Sequence, residues 1–152
     1  METVMNILHV VSAVFIVGPM AILPMTALRA VKSGNGAQVA VLAKSTNVLS
    51  LLSLLVVVFG FGVMGLADEK FDLSVTTPWI LWSIILYAVA LGISLFLVVP
   101  AMKDAAEQLT SEAGSVDSAS APSRARYPKI AAGSGAASLL LIAVVVLMVW
   151  KP

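Results

Sequence analysis

The single histidine of this chain, His9, stands in the run "NILHVVSAVFIVGP" (residues 6–19), where no other side chain is ionisable. An imidazole in such a place can ligate haem or a metal, carry protons, or hydrogen-bond near a membrane edge. Asn6, His9 and Ser12 are three residues apart, so on a helix they form one slowly drifting polar stripe. The plainest expectation is that His9 bonds to loop residues, water or a neighbour's polar group one turn or more inside the boundary. Haem ligation is the sharper alternative, because neutral imidazole is a common axial ligand. One histidine excludes bis-histidine ligation within the chain, which leaves a methionine or another subunit to supply the second ligand. Copper is a third candidate. Met1, Met5 and His9 follow i, i+4, i+8 spacing, and thioether plus imidazole suits Cu(I), although Met1 reads as the initiator and methionine is an ordinary filler of apolar gaps.

Other chemistries are excluded more firmly. With no cysteine, the chain has no disulfide, thiolate metal site, iron–sulfur cluster or cysteine nucleophile. No Asp, Glu, Lys or Arg falls inside its apolar runs, whereas proton pumps and ion-coupled carriers use such groups. Neither a catalytic constellation nor a nucleic-acid surface is expected, and the predicted cofactor content is none, with haem b as the alternative.

The elements that must position His9 follow from charge segregation. Of 152 residues, 60% are hydrophobic and 11% charged, against about 25% charged in an ordinary soluble domain. Mean hydropathy is +1.03. Four long apolar runs, roughly 4–28, 45–66, 78–99 and 130–150, each approach the ~20 residues that cross ~30 Å of hydrocarbon as a helix. Barrel strands would be ~10 residues of alternating polarity, and "LLSLLVVVFGFGVMGL" is apolar on both faces. The expected fold is all-α: a single membrane domain, 1–152, built as a four-transmembrane-helix bundle. The first run is read as a permanent span, since Glu2 precedes it without a basic n-region.

Loop one (29–44) carries Arg29, Lys32 and Lys44 and no acid, whereas loop two (67–77) carries Asp68, Glu69 and Asp72 against Lys70. Loop three (100–129) adds Lys103, Arg124, Arg126 and Lys129. Basic loops stay in the cytoplasm, so loops 29–44 and 100–129 are expected there, with both termini extracytoplasmic. "AMKDAAEQLTSEA" extends the third helix past Pro100 to about 112, with Lys103 and Glu107 four apart as a surface pair. "GSVDSASAPSRA" reads as a flexible linker, about 113–126. "SGNG" reads as a turn, and Thr77 as an N-cap before Pro78. Trp79, Trp82 and Trp150 lie near predicted membrane edges. The two halves show no internal repeat.

Pro19 and Pro24 in "GPMAILPM" predict a kink in the first span. Small residues mark packing or partner faces: Gly60, Gly62 and Gly65 on the second helix, Ala88 and Gly92 on the third, Gly133, Gly135 and Ala137 on the fourth. Lipid supplies no hydrophobic drive between helices, so small residues that let backbones approach are where association occurs.

The "LH" of Leu8 and His9, the aromatic and glycine of "FIVG" (residues 15–18) and the "LP" of Leu23 and Pro24 resemble the first helix of a group of small bacterial four-helix integral membrane proteins. That helix is also similar to the one in HemJ-type protoporphyrinogen oxidases. The HemJ resemblance implies His9 as a haem ligand. It departs at Phe15, where those enzymes have tryptophan, and at Met25, where they have arginine; their second histidine and intramembrane lysine are missing, which argues against catalysis. By size, Ala/Val/Gly/Ser-rich spans and lack of redox ligands, the chain also resembles accessory subunits around the cytochrome bcc and oxidase complexes of actinobacteria. That resemblance implies a non-catalytic accessory subunit in the bacterial inner membrane, with respiratory subunits and lipid as partners.

Overall fold

The computed structural model describes residues 1–66, 74–112 and 121–150. The described residues fold as six helices in four antiparallel spans: α1 (Glu2–Ser12) and α2 (Gly18–Lys32) form the first, α3 (Gly36–Leu66) the second, α4 (Pro78–Ile93) and α5 (Val99–Glu112) the third, and α6 (Ala121–Trp150) the fourth. Each span is long and apolar enough to cross a membrane, with mean hydropathy between 2.1 and 2.5 in its most apolar stretch.

The first and third spans are each interrupted by one π-helical turn, Ala13–Val17 and Ser94–Val98. In both, the next amide reaches back five residues: Gly18 N–H to the Ala13 carbonyl and Val99 N–H to the Ser94 carbonyl. In both, a proline follows at once, in "FIVGP" (residues 15–19) and "FLVVP" (residues 96–100). Proline lacks the N–H that would pair with the carbonyl four residues back, and its ring crowds that carbonyl. A widened turn is one way for the helix to re-register around this defect. The kink expected from Pro19 and Pro24 thus takes the form of a π turn before Pro19, with Pro24 buried inside α2.

The two halves, which show no repeat in sequence, share these turns and a pattern of packing partners. α1 packs on α3 as α4 packs on α6; α2 and α5 pack on the same partners, and α3 meets α5 as α6 meets α2. The bundle is thus two helical hairpins with the same pattern of packing partners. The sequence echo is confined to the turn before each proline, which is why composition alone misses it.

The end that carries loops one and three, here the basic end, holds the hydrophobic core. Ala27, Ala30, Val39, Ala43, Val98, Met102, Ala105, Ala106, Leu109 and Ile130 form one buried cluster there. At about 1.5 Å per residue, the 31 residues of α3 rise about 46 Å. That exceeds ~30 Å of hydrocarbon at any usual tilt, so part of the helix lies outside it. The amphipathic spacing of Met102, Ala105, Ala106 and Leu109 turns α5 onto this core. Lys32 lies over the Tyr127 ring, 5.1 Å from its centroid, a cation–π contact at the rim. Lys103 and Glu107, expected as a surface pair, line a shallow hollow of about 500 Å³ together with Lys44 and Thr110.

Loop one closes as a compact corner. Gly34 adopts φ +70°, and the Asn35 and Gly34 amides bond back to the Ala30 and Val31 carbonyls at 3.0 and 3.2 Å. This is the double bond pattern of a helix that ends on a left-handed glycine. Asn35 then caps the next helix, its Oδ1 accepting from the Gln38 amide at 3.0 Å. Thr77 does occupy the N-cap before Pro78, but its hydroxyl accepts from the Ser74 amide at 3.1 Å and caps nothing in α4. Of the expected linker, residues 113–120 lie outside the described residues, as does the acidic stretch 67–73 of loop two. Residues 121–126 are already helical, an early start that proline at the second position accommodates.

Candidate functional site

His9 is half-buried on the one face of α1 that meets α3. Its Nδ1 stands 2.8 Å from the backbone carbonyl oxygen of Val56. A carbonyl only accepts, so Nδ1 carries the hydrogen, and in the neutral ring Nε2 holds the lone pair. In the helical ladder the Val56 carbonyl belongs to the turn closed by Gly60. A Cβ on Gly60 would come 3.0 Å from His9 Cε1 and 3.3 Å from Nδ1. The missing side chain is therefore what lets the imidazole stand on the backbone of α3. One turn nearer the termini, Met5 rests on Gly62, with Sδ 3.3 Å from where a Cβ would lie. Met5 and His9, the weak copper pair, are thus both seated on glycines of α3, while Met1 is exposed. Among the described residues no group of three His, Asp or Glu side chains converges as a metal site.

His9 is the chain's one histidine, so ring ¹⁵N spectra of the labelled protein contain a single pair of resonances. We expect Nδ1 to report as protonated and Nε2 as unprotonated in the neutral form. Gly60→Val should remove that asymmetry while leaving the imidazole in the chain; an Nε2–H tautomer in the unsubstituted protein would contradict the bond to Val56.

A second polar group lies deeper. Ser53 Oγ is 2.6 Å from both the Ser50 carbonyl and the Tyr87 hydroxyl. With one hydrogen each, Ser53 donates to the carbonyl and Tyr87 donates to Ser53. This chain links α3 to α4. The neighbouring Ser50 hydroxyl is buried and has no partner. Ser83 bonds within its own helix, to the Trp79 carbonyl at 2.7 Å, and Ser138 reaches the Ala21 carbonyl of α2 at 3.3 Å. Bonds between helices are thus made by His9, by Tyr87 with Ser53, and by Ser138, whereas Thr26, Thr46, Ser83 and Ser134 bond within their own helices. Sequence reasoning singled out His9 but missed Ser53 and Tyr87; the signal was a tyrosine and a cluster of serines inside two otherwise apolar runs.

The small residues divide into two sets. Gly60 and Gly62 seat α1; Gly133 seats the third span, where a Cβ would meet Leu97 Cδ2 at 2.7 Å and Val98 Cγ2 at 2.9 Å; Ala137 is buried. At Gly65, Gly92 and Gly135 no neighbouring atom lies within 4 Å of where a Cβ would stand, and Ala88 is exposed. Asn6 is exposed and Ser12 half-buried, and no hydrogen bond joins either of them to His9.

No curated protein and no solved structure matches the chain. A match to one family runs from residue 3 to residue 152. With four helices long and apolar enough to span a membrane, the chain belongs to the family of predicted integral membrane proteins DUF2269.

Proposed function

We propose that this protein is a non-catalytic accessory subunit of a bacterial inner-membrane respiratory complex, of the cytochrome bcc–oxidase type found in actinobacteria, and that it stabilises the association of larger subunits. One observation supports the reading: among the described residues the core cluster lies at the basic end, and the terminal half has many exposed apolar side chains available to lipid or to other chains. The open positions at Gly65, Gly92 and Gly135 favour close backbone approach by a neighbouring helix. His9 Nδ1, Ser53, Tyr87 and Ser138 are occupied in bonds within the bundle, which supports a structural use of these groups. Loops 29–44 and 100–129 face the cytoplasm in this reading, following their basic residues.

Purification of the tagged chain from its native membrane in mild detergent tests the proposal. Oxidase or cytochrome bc subunits, with their visible bands, are the expected companions. A stable, stoichiometric monomer without companions would remove the accessory role.

The second reading, a HemJ-like haem protein, is favoured by one feature. Nδ1 is spent on Val56, so the remaining lone pair of His9 is on Nε2, the arrangement that second-shell bonding gives a ligating histidine. It requires a Soret band in the isolated chain that His9→Ala abolishes. Copper bound by Met5 and His9 requires stoichiometric metal after purification without chelator.

A further inference from the structure

Each hairpin has one π turn with a proline close behind it, yet the two helices that precede those turns are held differently. α4 lies on α6 with Ile80, Ser83 and Ala90 buried. The π turn that follows is clamped where Leu97 and Val98 meet Gly133. α1 has no buried residue among its described side chains. Val4, Ile7, Leu8, Val10, Val11 and Val14 are all exposed, and only the stripe through Met5, His9 and Ser12 is covered. The core cluster contains residues of α2 but none of α1. Among the described residues one side-chain hydrogen bond ties α1 to the rest of the bundle, donated by His9 Nδ1 to the Val56 carbonyl. Where α1 joins the anchored α2, the π turn breaks the regular ladder, and its Phe15 is 73% exposed.

We propose that α1 is a displaceable arm, hinged at Ala13–Val17 and latched by His9 on the Val56 carbonyl, whose release uncovers the Gly60–Gly62 face of α3. A π turn is a recurrent functional irregularity, and a few residues at an element's end are enough to absorb a hinge motion. The uncovered glycine face is the kind of surface on which a second transmembrane helix packs closely. α4 is the internal control, with the same turn and the same proline but a buried seat. The latch is independent of whether the protein is an accessory subunit.

The chain has no cysteine, so spin labels can be introduced without removing native thiols. Double electron–electron resonance in lipid nanodiscs would use Val4→Cys with Val146→Cys for the arm, and Ile85→Cys with Val58→Cys for the control. All four sites are exposed. The arm pair is expected to show two distances. The minor population should rise about threefold in His9→Ala, the weight of one interhelical hydrogen bond in a membrane. Gly60→Val, which displaces the ring but keeps it, should act in the same direction. The control pair should show one distance, unchanged by either variant. A single arm distance as narrow as the control in all three proteins would overturn the proposal. So would equal broadening of both pairs, which marks a loosened bundle without a hinge.

Discussion

Met102→Ala should lower the unfolding free energy of the solubilised protein by about 2–5 kcal/mol, whereas Met25→Ala should change it by less than about 0.5 kcal/mol. Met102 is 0% exposed and Met25 47%. The same chemical change is thus made once in the core and once on the outer face. The expected loss at Met102 is toward the upper end because its cluster is rich in alanine: Ala27, Ala30, Ala43, Ala105 and Ala106. Alanine side chains have no rotamer with which to fill the space, so the cavity persists, and cavity volume is what raises the cost. Denaturant titration followed by the fluorescence of the three tryptophans measures both variants. Equal losses would mean that the buried core is not at the basic end.

The number and nature of the spans were legible from charge segregation and run length. The position of the core was not, because hydropathy ranks the exposed Leu54 no lower than the buried Met102. In lipid the two faces of a helix need not differ in polarity. Where α5 leaves the hydrocarbon they must differ, and the spacing of residues 102, 105, 106 and 109 did carry that signal. The partner of His9 had no signature in side chains. It is a backbone carbonyl, and its trace is Gly60 four residues further on. Gly60, Gly62 and Gly133, among the small residues singled out in the sequence, lie at close approaches between helices. Another close approach, at Gly36, was hidden in "SGNG", where a glycine reads first as a turn.

The repeated π turn joins the two halves of the fold to two solvents. Toward the basic end the helices extend past the hydrocarbon, where water drives apolar faces together, and there the cluster around Met102 forms. Toward the termini that drive is absent, and cohesion comes from close packing of scattered buried side chains such as Val56, Ala90 and Ala137, from glycine seats, and from single hydrogen bonds at His9 and at Tyr87. Phe15 and Phe96, 73% and 84% exposed, mark the transition at equivalent places in the two hairpins.

Gly36 tests the closure of the basic end directly. Gly36→Val should destabilise the protein by about 1–3 kcal/mol, while Gly135→Ala should stabilise it by up to about 1 kcal/mol. At Gly36 an added Cβ meets Thr110 Oγ1 at 2.8 Å, the Ala106 carbonyl oxygen at 3.0 Å and Leu109 Cβ at 3.0 Å. Two of the three cannot swing aside, since one is backbone and one is bound to it. Thr110 is itself committed, donating to the Ala106 carbonyl at 2.8 Å. Relief requires α5 to move away from α3, which opens the cluster that Ala105, Ala106 and Leu109 complete. At Gly135 nothing lies within 4 Å, so alanine only removes the entropic penalty of glycine inside a helix. The same titration reads both variants, and their opposite signs separate steric seats from general intolerance of side chains at glycine. A neutral Gly36→Val would mean that α5 does not lie across the start of α3, and the basic end would then have no packed lid on the helical corner at Gly34 and Asn35.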